Sequence, residues 1–236
     1  MPAPSRLTRA LTAWTAAGVL ITGAGCQTLD DAGRVIGRAD LVNDLAARLD
    51  RAGELTYSAD YRLPGADNAT IAQTPKPPRS AYIFPGGRLI VTADATTECR
   101  TAGAESICTM TPPPSPGAKP AASAFATAGE RGLVTPTVVI GLLTAAALDA
   151  DAIVEQKDTT IAGRHATCVQ VRQVKNAAAS SFDACITTEG VLGSFTGVVD
   201  GQQVDIAISR YRDSVDATAF KIPSGARIVD HRPGAR

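Results

Sequence analysis

The strongest constraint on the fold comes from four cysteines whose spacing suits two β-hairpins: Cys99, Cys108, Cys168 and Cys185. A turn centred between positions 103 and 104 sets Cys99 opposite Cys108, and a turn centred between 176 and 177 sets Cys168 opposite Cys185. Because strand faces alternate with a period of two, the second register also separates apolar from polar side chains. We predict two hairpin disulfides, Cys99–Cys108 and Cys168–Cys185, each stabilising the fold by about 3 kcal/mol.

The start of the chain indicates export, which makes disulfides the default. Arg6 and Arg9 precede an apolar stretch over 10–21, and small residues lead into Cys26. This is the layout of a signal peptide, and the stretch is too short to span a bilayer comfortably. A cysteine directly after small residues is typical of lipoprotein processing. We predict a signal peptide over 1–25, lipid attachment at Cys26 and anchoring to the outer face of the cell membrane.

One position departs from the lipoprotein pattern. Gly23 stands where leucine or another aliphatic residue is usual. The alternative is therefore an ordinary signal peptide followed by a chance cysteine. Two or three acyl chains, at about 0.8 kcal/mol per buried CH₂, would hold a lipidated chain firmly at a membrane.

Length and charge limit the remaining classes. The 236-residue chain less its first 25 residues leaves 211, enough for one domain with a core. The removed segment takes two arginines and no acid, so 21 basic and 23 acidic side chains remain. That balance argues against nucleic-acid binding, which needs a basic face. We predict a lipidated tether over 26–39, a domain over 40–230 and a tail over 231–236.

Helical spacing of apolar residues predicts an amphipathic helix over 29–49, with Asp40 capping its second half and Gly53 ending it. Turn and alternation signals then predict strands, and five prolines within 111–120 predict an extended loop. The strands are predicted over 57–62, 69–73, 79–84 and 88–92.

Residues 132–148 form the most apolar segment of the mature chain and carry no charge. Pro136 suits the first turn of a helix whose apolar residues cover most of its circumference. Such a helix must be covered on more than one side. It is either buried in the core or lines a cavity that an apolar ligand fills.

A hairpin over Asp200-Gly201 is predicted between 190–199 and 202–212. Its register sets Phe195 opposite Ile206, Gly197 opposite Val204 and Gly193 opposite Ile208. Glycines facing large aliphatic residues leave room and allow bending. A curved sheet with a hollow inner face needs both, and so does a sheet coiled around a filled core.

Residues that could carry catalysis are scarce. No nucleophile elbow, P-loop or zinc-protease motif occurs in the mature chain. Without a C-x-x-C pair, and with His165 and His231 as the available histidines, a metal site is disfavoured. The carboxylates are scattered at turns and polar strand faces. We predict that the protein is not an enzyme and holds no cofactor or metal.

The order of these elements, together with the closing segment 216–223, resembles the LolA-like and LppX/LprG-like lipoproteins. In that closing segment a phenylalanine and a proline end the last predicted strand. Three internal pieces, 78–84, 96–99 and 106–109, look like those of actinobacterial envelope lipoproteins of unassigned function. The two disulfides and the scarcity of aromatic residues depart from the best-known members.

The resemblance implies an α+β fold in which a strongly curved antiparallel β-sheet, a half-barrel, carries helices across its concave face. It also implies that the protein binds or transfers a lipid or lipoglycan in a hydrophobic pocket between the sheet and the helix over 136–148. The expected pocket walls are Val138, Val139, Leu142, Leu143, Phe195 and Ile206. Two alternatives stay open: an RseB-like sensor that binds a membrane-protein partner, and a structural envelope lipoprotein without a ligand.

Overall fold

A computed structural model describes residues 25–103, 105–115 and 118–234. Residues 1–24 of the predicted signal peptide lie outside the described residues. The side chain of Cys26, the predicted site of lipid attachment, also lies outside them. The described chain has a mixed α+β fold of twelve strands in one sheet and three α-helices. In this part of the chain, no helix is long and apolar enough to cross a membrane.

The α-helices are α1 (Gly25–Arg51), α2 (Ala126–Glu130) and α3 (Pro136–Leu148). The strands, in chain order, are β1 (Tyr57–Arg62), β2 (Asn68–Pro75), β3 (Pro78–Phe84), β4 (Gly87–Val91), β5 (Thr96–Ala102), β6 (Glu105–Thr111), β7 (Ile153–Ile161), β8 (Arg164–Arg172), β9 (Phe182–Thr187), β10 (Leu192–Val199), β11 (Gln202–Arg212) and β12 (Arg227–Asp230).

The sheet is open, with the order β12-β6-β5-β4-β3-β2-β1-β11-β10-β9-β8-β7. Every neighbouring pair is antiparallel except β12 with β6. Two meanders, β1–β6 and β7–β11, therefore join where β1 pairs with β11. The predicted strand positions agree with this arrangement to within a few residues.

Both cysteine pairs lie directly opposite each other, as the hairpin registers predict. Cys99 of β5 faces Cys108 of β6, and Cys168 of β8 faces Cys185 of β9. In each pair the two Sγ atoms are 2.07 Å apart, the length of a disulfide bond. Each bond therefore fixes one hairpin in register.

The core lies between α1, α3 and one face of the sheet, here called the inner face. On α3, Val139, Leu143 and Ala146 have no exposed surface. Helix α1 covers α3 from one side and the sheet covers it from another. This explains why α3 is apolar around most of its circumference.

Helix α1 is longer than its sequence pattern predicts. It is continuous from Gly25 to Arg51, so the predicted tether over 26–39 is helical and Asp40 lies within the helix and not at a cap. The Arg38 guanidinium donates to the carbonyl oxygens of Ala152, Asp149 and Ala150, which follow the end of α3. A positive charge there complements the partial negative charge at the end of a helix.

The end of α1 meets the turn before β10 at a glycine. Gly190 has φ +97°, a conformation that side chains disfavour. A Cβ atom at this position would lie 2.4 Å from the backbone oxygen of Arg48. The contact between helix and turn therefore requires glycine.

The hairpin of β10 and β11 has the predicted pairs Phe195–Ile206 and Gly197–Val204. The pairing of β10 with β11 ends at Ser194–Ala207, one residue before the predicted pair of Gly193 with Ile208, and β10 is irregular beside β9 at this glycine. A Cβ atom on Gly197 would lie 3.0 Å from the Cβ of Phe182. Gly197 therefore permits close packing, not a hollow.

The opposite, outer face of the sheet is partly covered by the segment 213–226, here called the strap. Its apolar residues Val215, Ala219 and Phe220 pack on three outer-face residues: Ala72, Ala81 and Ile90. The Arg79 guanidinium lies 4.4 Å from the centre of the Phe220 ring. The prediction that the last strand ends at a phenylalanine and a proline within 216–223 is therefore wrong. This segment belongs to the strap, and a further strand, β12, follows it.

Removing each disulfide should destabilise the protein by an amount that increases with the number of residues in the loop that the disulfide closes. The double variant Cys168→Ala/Cys185→Ala, with a sequence separation of 17, should lose about 3 kcal/mol of unfolding free energy. Cys99→Ala/Cys108→Ala, with a separation of 9, should lose about 0.5 kcal/mol less. Urea denaturation without reductant measures both values. Losses below about 1 kcal/mol for both pairs would contradict this expectation.

Candidate ligand-binding cleft

The six residues predicted as pocket walls lie inside the packed core. Val139, Leu142, Leu143, Phe195 and Ile206 are at most 3% exposed, and Val138 is half-buried against the same cluster. The structure brings these residues together, but their side chains are used in contacts between helix and sheet. None of them lines the cleft described below.

The stacked rings of Phe182 and Phe195, whose centroids are 5.7 Å apart, show how the interior is filled. Both residues are at most 1% exposed. Aromatic rings at this separation contribute attraction beyond their buried area. These two rings therefore pack against each other within the core.

An apolar cleft of about 590 Å³ lies at one margin of the same core. It is bounded by the end of α1, the start of α3, strands β1–β4 and the proline-rich loop after β6. Residues that supply its apolar wall include Leu49, Tyr57, Tyr82, Val91, Pro136 and Ile140. Except for Pro136 and Ile140, which are half-buried, these residues belong to the buried core, so the cleft exposes a margin of that core.

The proline-rich loop forms one side of the cleft because of its composition. Pro113, Pro114 and Pro120 line the cleft, and proline has no backbone N–H to donate to a neighbouring strand. The chain after β6 therefore leaves the sheet. Pro136 then begins α3 at a position where a missing N–H costs no hydrogen bond.

Among the described residues, one ion pair joins the proline-rich loop to α1. The Lys119 ammonium donates to the Asp50 carboxylate and, at 3.1 Å, to the Asp50 backbone oxygen. The two side chains are 48% and 52% exposed. Solvent screens such a pair, which typically stabilises a structure by less than about 1 kcal/mol. The loop is therefore attached at this point by a weak contact.

The cleft lining also includes polar and charged residues, among them Asp50, Arg79 and Lys119, and several of its polar groups have partners. The Gln73 amide donates to the Ala52 backbone oxygen over 2.7 Å. Burial raises the pKa of Tyr82, while its hydrogen bond with Ser80 opposes that rise. Burial also raises the pKa of Tyr57. Both phenols are therefore neutral at physiological pH, and the wall suits an apolar ligand.

The two histidines of the chain lie away from the cleft. His165 is exposed on β8, and His231 follows β12. Neither lines the cleft. The described residues contain no cluster of three or more histidine, cysteine, aspartate or glutamate side chains able to hold a metal ion. The apolar part of the cleft wall can exclude water from an apolar group.

Sequence reasoning missed the cleft because its walls come from segments far apart in the chain. The prolines of 111–120 signal an unpaired loop, but they do not indicate which core residues the loop leaves uncovered. The apolar helix was recognised, whereas Ile140, its contribution to the cleft, lies outside the predicted set. The first two turns of α3, with Pro136, Thr137 and Ile140, line the cleft.

Comparison with known proteins gives little further information. No family model matches the chain, and no curated protein is similar to it in sequence. One similar solved structure is described as an uncharacterised conserved protein from Thermus thermophilus. It is 10% identical, with a TM-score of 0.47 over 80% of this chain and 98% of that one. A likeness of this degree carries no conclusion about function.

Alkaline pH should unfold the protein through its buried tyrosines. Burial raises the pKa of Tyr57, Tyr61 and Tyr82 above the ordinary value of 10.0. The unfolded chain loses these protons near pH 10 while the folded chain keeps them. The contribution of these tyrosines to the unfolding free energy is therefore fully present below pH 10. The unfolding free energy then falls as the pH rises above 10.

The measurement is phenolate absorbance followed together with near-ultraviolet circular dichroism. We expect the absorbance to rise in the same step in which the dichroism is lost. Tyr57→Phe removes one ionising group and should make the fall in stability with pH less steep, after correction for its altered packing. Smooth titration near pH 10 in a protein that stays folded would contradict this expectation.

Proposed function

We propose that this protein is a membrane-anchored extracytoplasmic lipoprotein that binds the apolar part of a lipid or acylated molecule in the cleft. The observation that carries the proposal is the apolar wall contributed by Leu49, Tyr82, Val91 and Ile140. The volume of about 590 Å³ falls within the range of about 300–1,000 Å³ that is typical of small-molecule sites.

Helix α1 separates the proposed anchor from the cleft. Cys26 lies at its beginning and Arg51 at its end. At 1.5 Å per residue, these positions are about 37 Å apart along the helix. Acyl chains in one leaflet extend about 15 Å, half the hydrocarbon thickness. The chains on Cys26 therefore do not fill the cleft of the same molecule, which stays open to another ligand.

The proposal includes the half-barrel form of the LolA-like lipoproteins. Curvature is supported by contacts between strands that are not neighbours. The Arg164 guanidinium of β8 lies 3.8 Å from the centre of the Tyr211 ring on β11, three strands away. A Cβ atom on Gly193, at the start of β10, would lie 3.1 Å from Cδ1 of Ile161 in β7. Both contacts fit a sheet that bends along this half.

Binding follows from removal of apolar surface from water. Each Å² of apolar area buried by a ligand contributes about 25 cal/mol. A ligand enters where the proline-rich loop meets α1, since the Lys119–Asp50 pair opposes opening by less than about 1 kcal/mol. The largest contributions are expected from an alkyl chain lying along Tyr82, Val91 and Ile140.

Filling the cleft from α3 should abolish ligand binding. Ile140→Trp places an indole where the cleft meets the first turns of the helix. We expect at least a tenfold loss of affinity for a fluorescent fatty-acid analogue, measured by titration. Native mass spectrometry of the purified, exported protein should likewise show acyl-lipid adducts in the wild type and none in this variant.

Thr144→Trp is the matched control, because Thr144 is exposed on the same helix and does not line the cleft. It should bind the analogue like the wild type. Thermal unfolding of both variants checks that the substitutions leave the fold intact. A wild-type protein that takes up no lipid from envelope extracts would refute the proposed function. Equal binding by the two variants would place the ligand elsewhere.

A further inference from the structure

Strand β7 is an edge of the sheet with one side unpaired. It is nine residues long, and its residues 155–160 are all exposed. The opposite edge, β12, has four residues. A long exposed edge presents backbone N–H and C=O groups that can pair with another strand. The charged side chains of β7 then determine which strand can pair with this edge.

The direction of the free backbone groups follows from the neighbouring disulfide. The Cα atoms of Cys168 and Cys185 are 3.9 Å apart, which fits a pair without mutual backbone hydrogen bonds, since hydrogen-bonded pairs are about 5.5 Å apart. The backbone groups of Cys168 therefore point towards its other partner, Lys157. Because the direction alternates along a strand, the backbone groups of Gln156 and Asp158 point out of the sheet edge.

Two opposite charges lie two residues apart on one face of this edge. Glu155 and Lys157 are both exposed, and neither forms an ion pair within the described ranges of the chain. If two copies of β7 pair antiparallel about Gln156, Glu155 of each copy lies directly opposite Lys157 of the other. Cβ atoms in such positions are about 4.5–5.5 Å apart, close enough for ion pairs.

The neighbouring registers are disfavoured by the same charges. Pairing centred on Lys157 places two lysines opposite each other, and pairing centred on Asp158 places two aspartates opposite each other. Like charges in directly opposed positions are destabilising. The register centred on Gln156 therefore has two attractions, whereas the registers centred on Lys157 and Asp158 each have a repulsion on the symmetry axis.

We propose that β7 is a homodimer interface, in which it pairs with β7 of a second copy about a two-fold axis at Gln156. The interface is isologous, because the same surface on each copy supplies both halves of the contact. The two sheets become continuous, and the edge is no longer exposed. The occupant of this edge is a second copy of the chain, selected by the Glu155–Lys157 complementarity.

Site-specific crosslinking of the full-length chain in membranes tests the axis. Gln156→Cys brings two thiols together, whereas Thr160→Cys, on the same face of the strand, places them about 26 Å apart. With a short thiol-to-thiol crosslinker we expect at least ten times more covalent dimer for Gln156→Cys. The other cysteines are protected in disulfides or, at Cys26, by the proposed lipid. Equal yields at the two positions overturn the proposal.

Charge reversal tests the register in the Gln156→Cys background. Lys157→Glu places Glu155 opposite a second glutamate and should reduce the dimer yield at least fivefold. Adding Glu155→Lys exchanges the two charges and should restore it, which also shows that the variants fold. The proposal is overturned if Lys157→Glu leaves the dimer yield unchanged. It is also overturned if the variant that combines Lys157→Glu with Glu155→Lys stays monomeric. Crosslinking only to other proteins would assign the edge to a different partner and refute the homodimer.

Discussion

Burial of α3 between α1 and the inner face of the sheet holds the two layers of this protein together. Val139, Leu143 and Ala146 have no exposed surface, and each apolar side chain of leucine or valine size that is fully buried contributes about 1.5–3 kcal/mol. The Arg38 guanidinium adds a polar contact by donating to carbonyl oxygens just after α3. The end of α1, the start of α3 and thus the cleft between them are positioned by this packing.

The cleft exists because the covering of the core is incomplete at one margin. The helices cover the centre of the inner face, and the proline-rich loop extends over the part that they leave open. The strap reinforces the other face of the same strands through Phe220. The strap and the proline-rich loop therefore lie on opposite faces of the same strands, and the ion pair that joins the loop to α1 is weak.

The centre of the fold was predictable because its patterns are local. Paired strands separated by short turns set Cys99 opposite Cys108 and Phe195 opposite Ile206 by counting residues alone. The cleft was not predictable in the same way. An apolar helix looks the same in sequence whether its residues meet a ligand or a protein core, and only packing shows that Leu142 contacts the core while Ile140 reaches the cleft.

The sequence by itself determined the main helical and strand segments, the two cysteine pairs and the apolar character of α3, since each depends on spacing between nearby residues. Tertiary structure alone decided the joining of β1 to β11, the parallel addition of β12 to β6 and the continuity of α1 past Asp40. These features depend on contacts between residues more than a hundred positions apart, or on packing that overrides a local capping signal. The free edge at β7 belongs to the same group, because a strand becomes an edge only when the whole sheet is assembled.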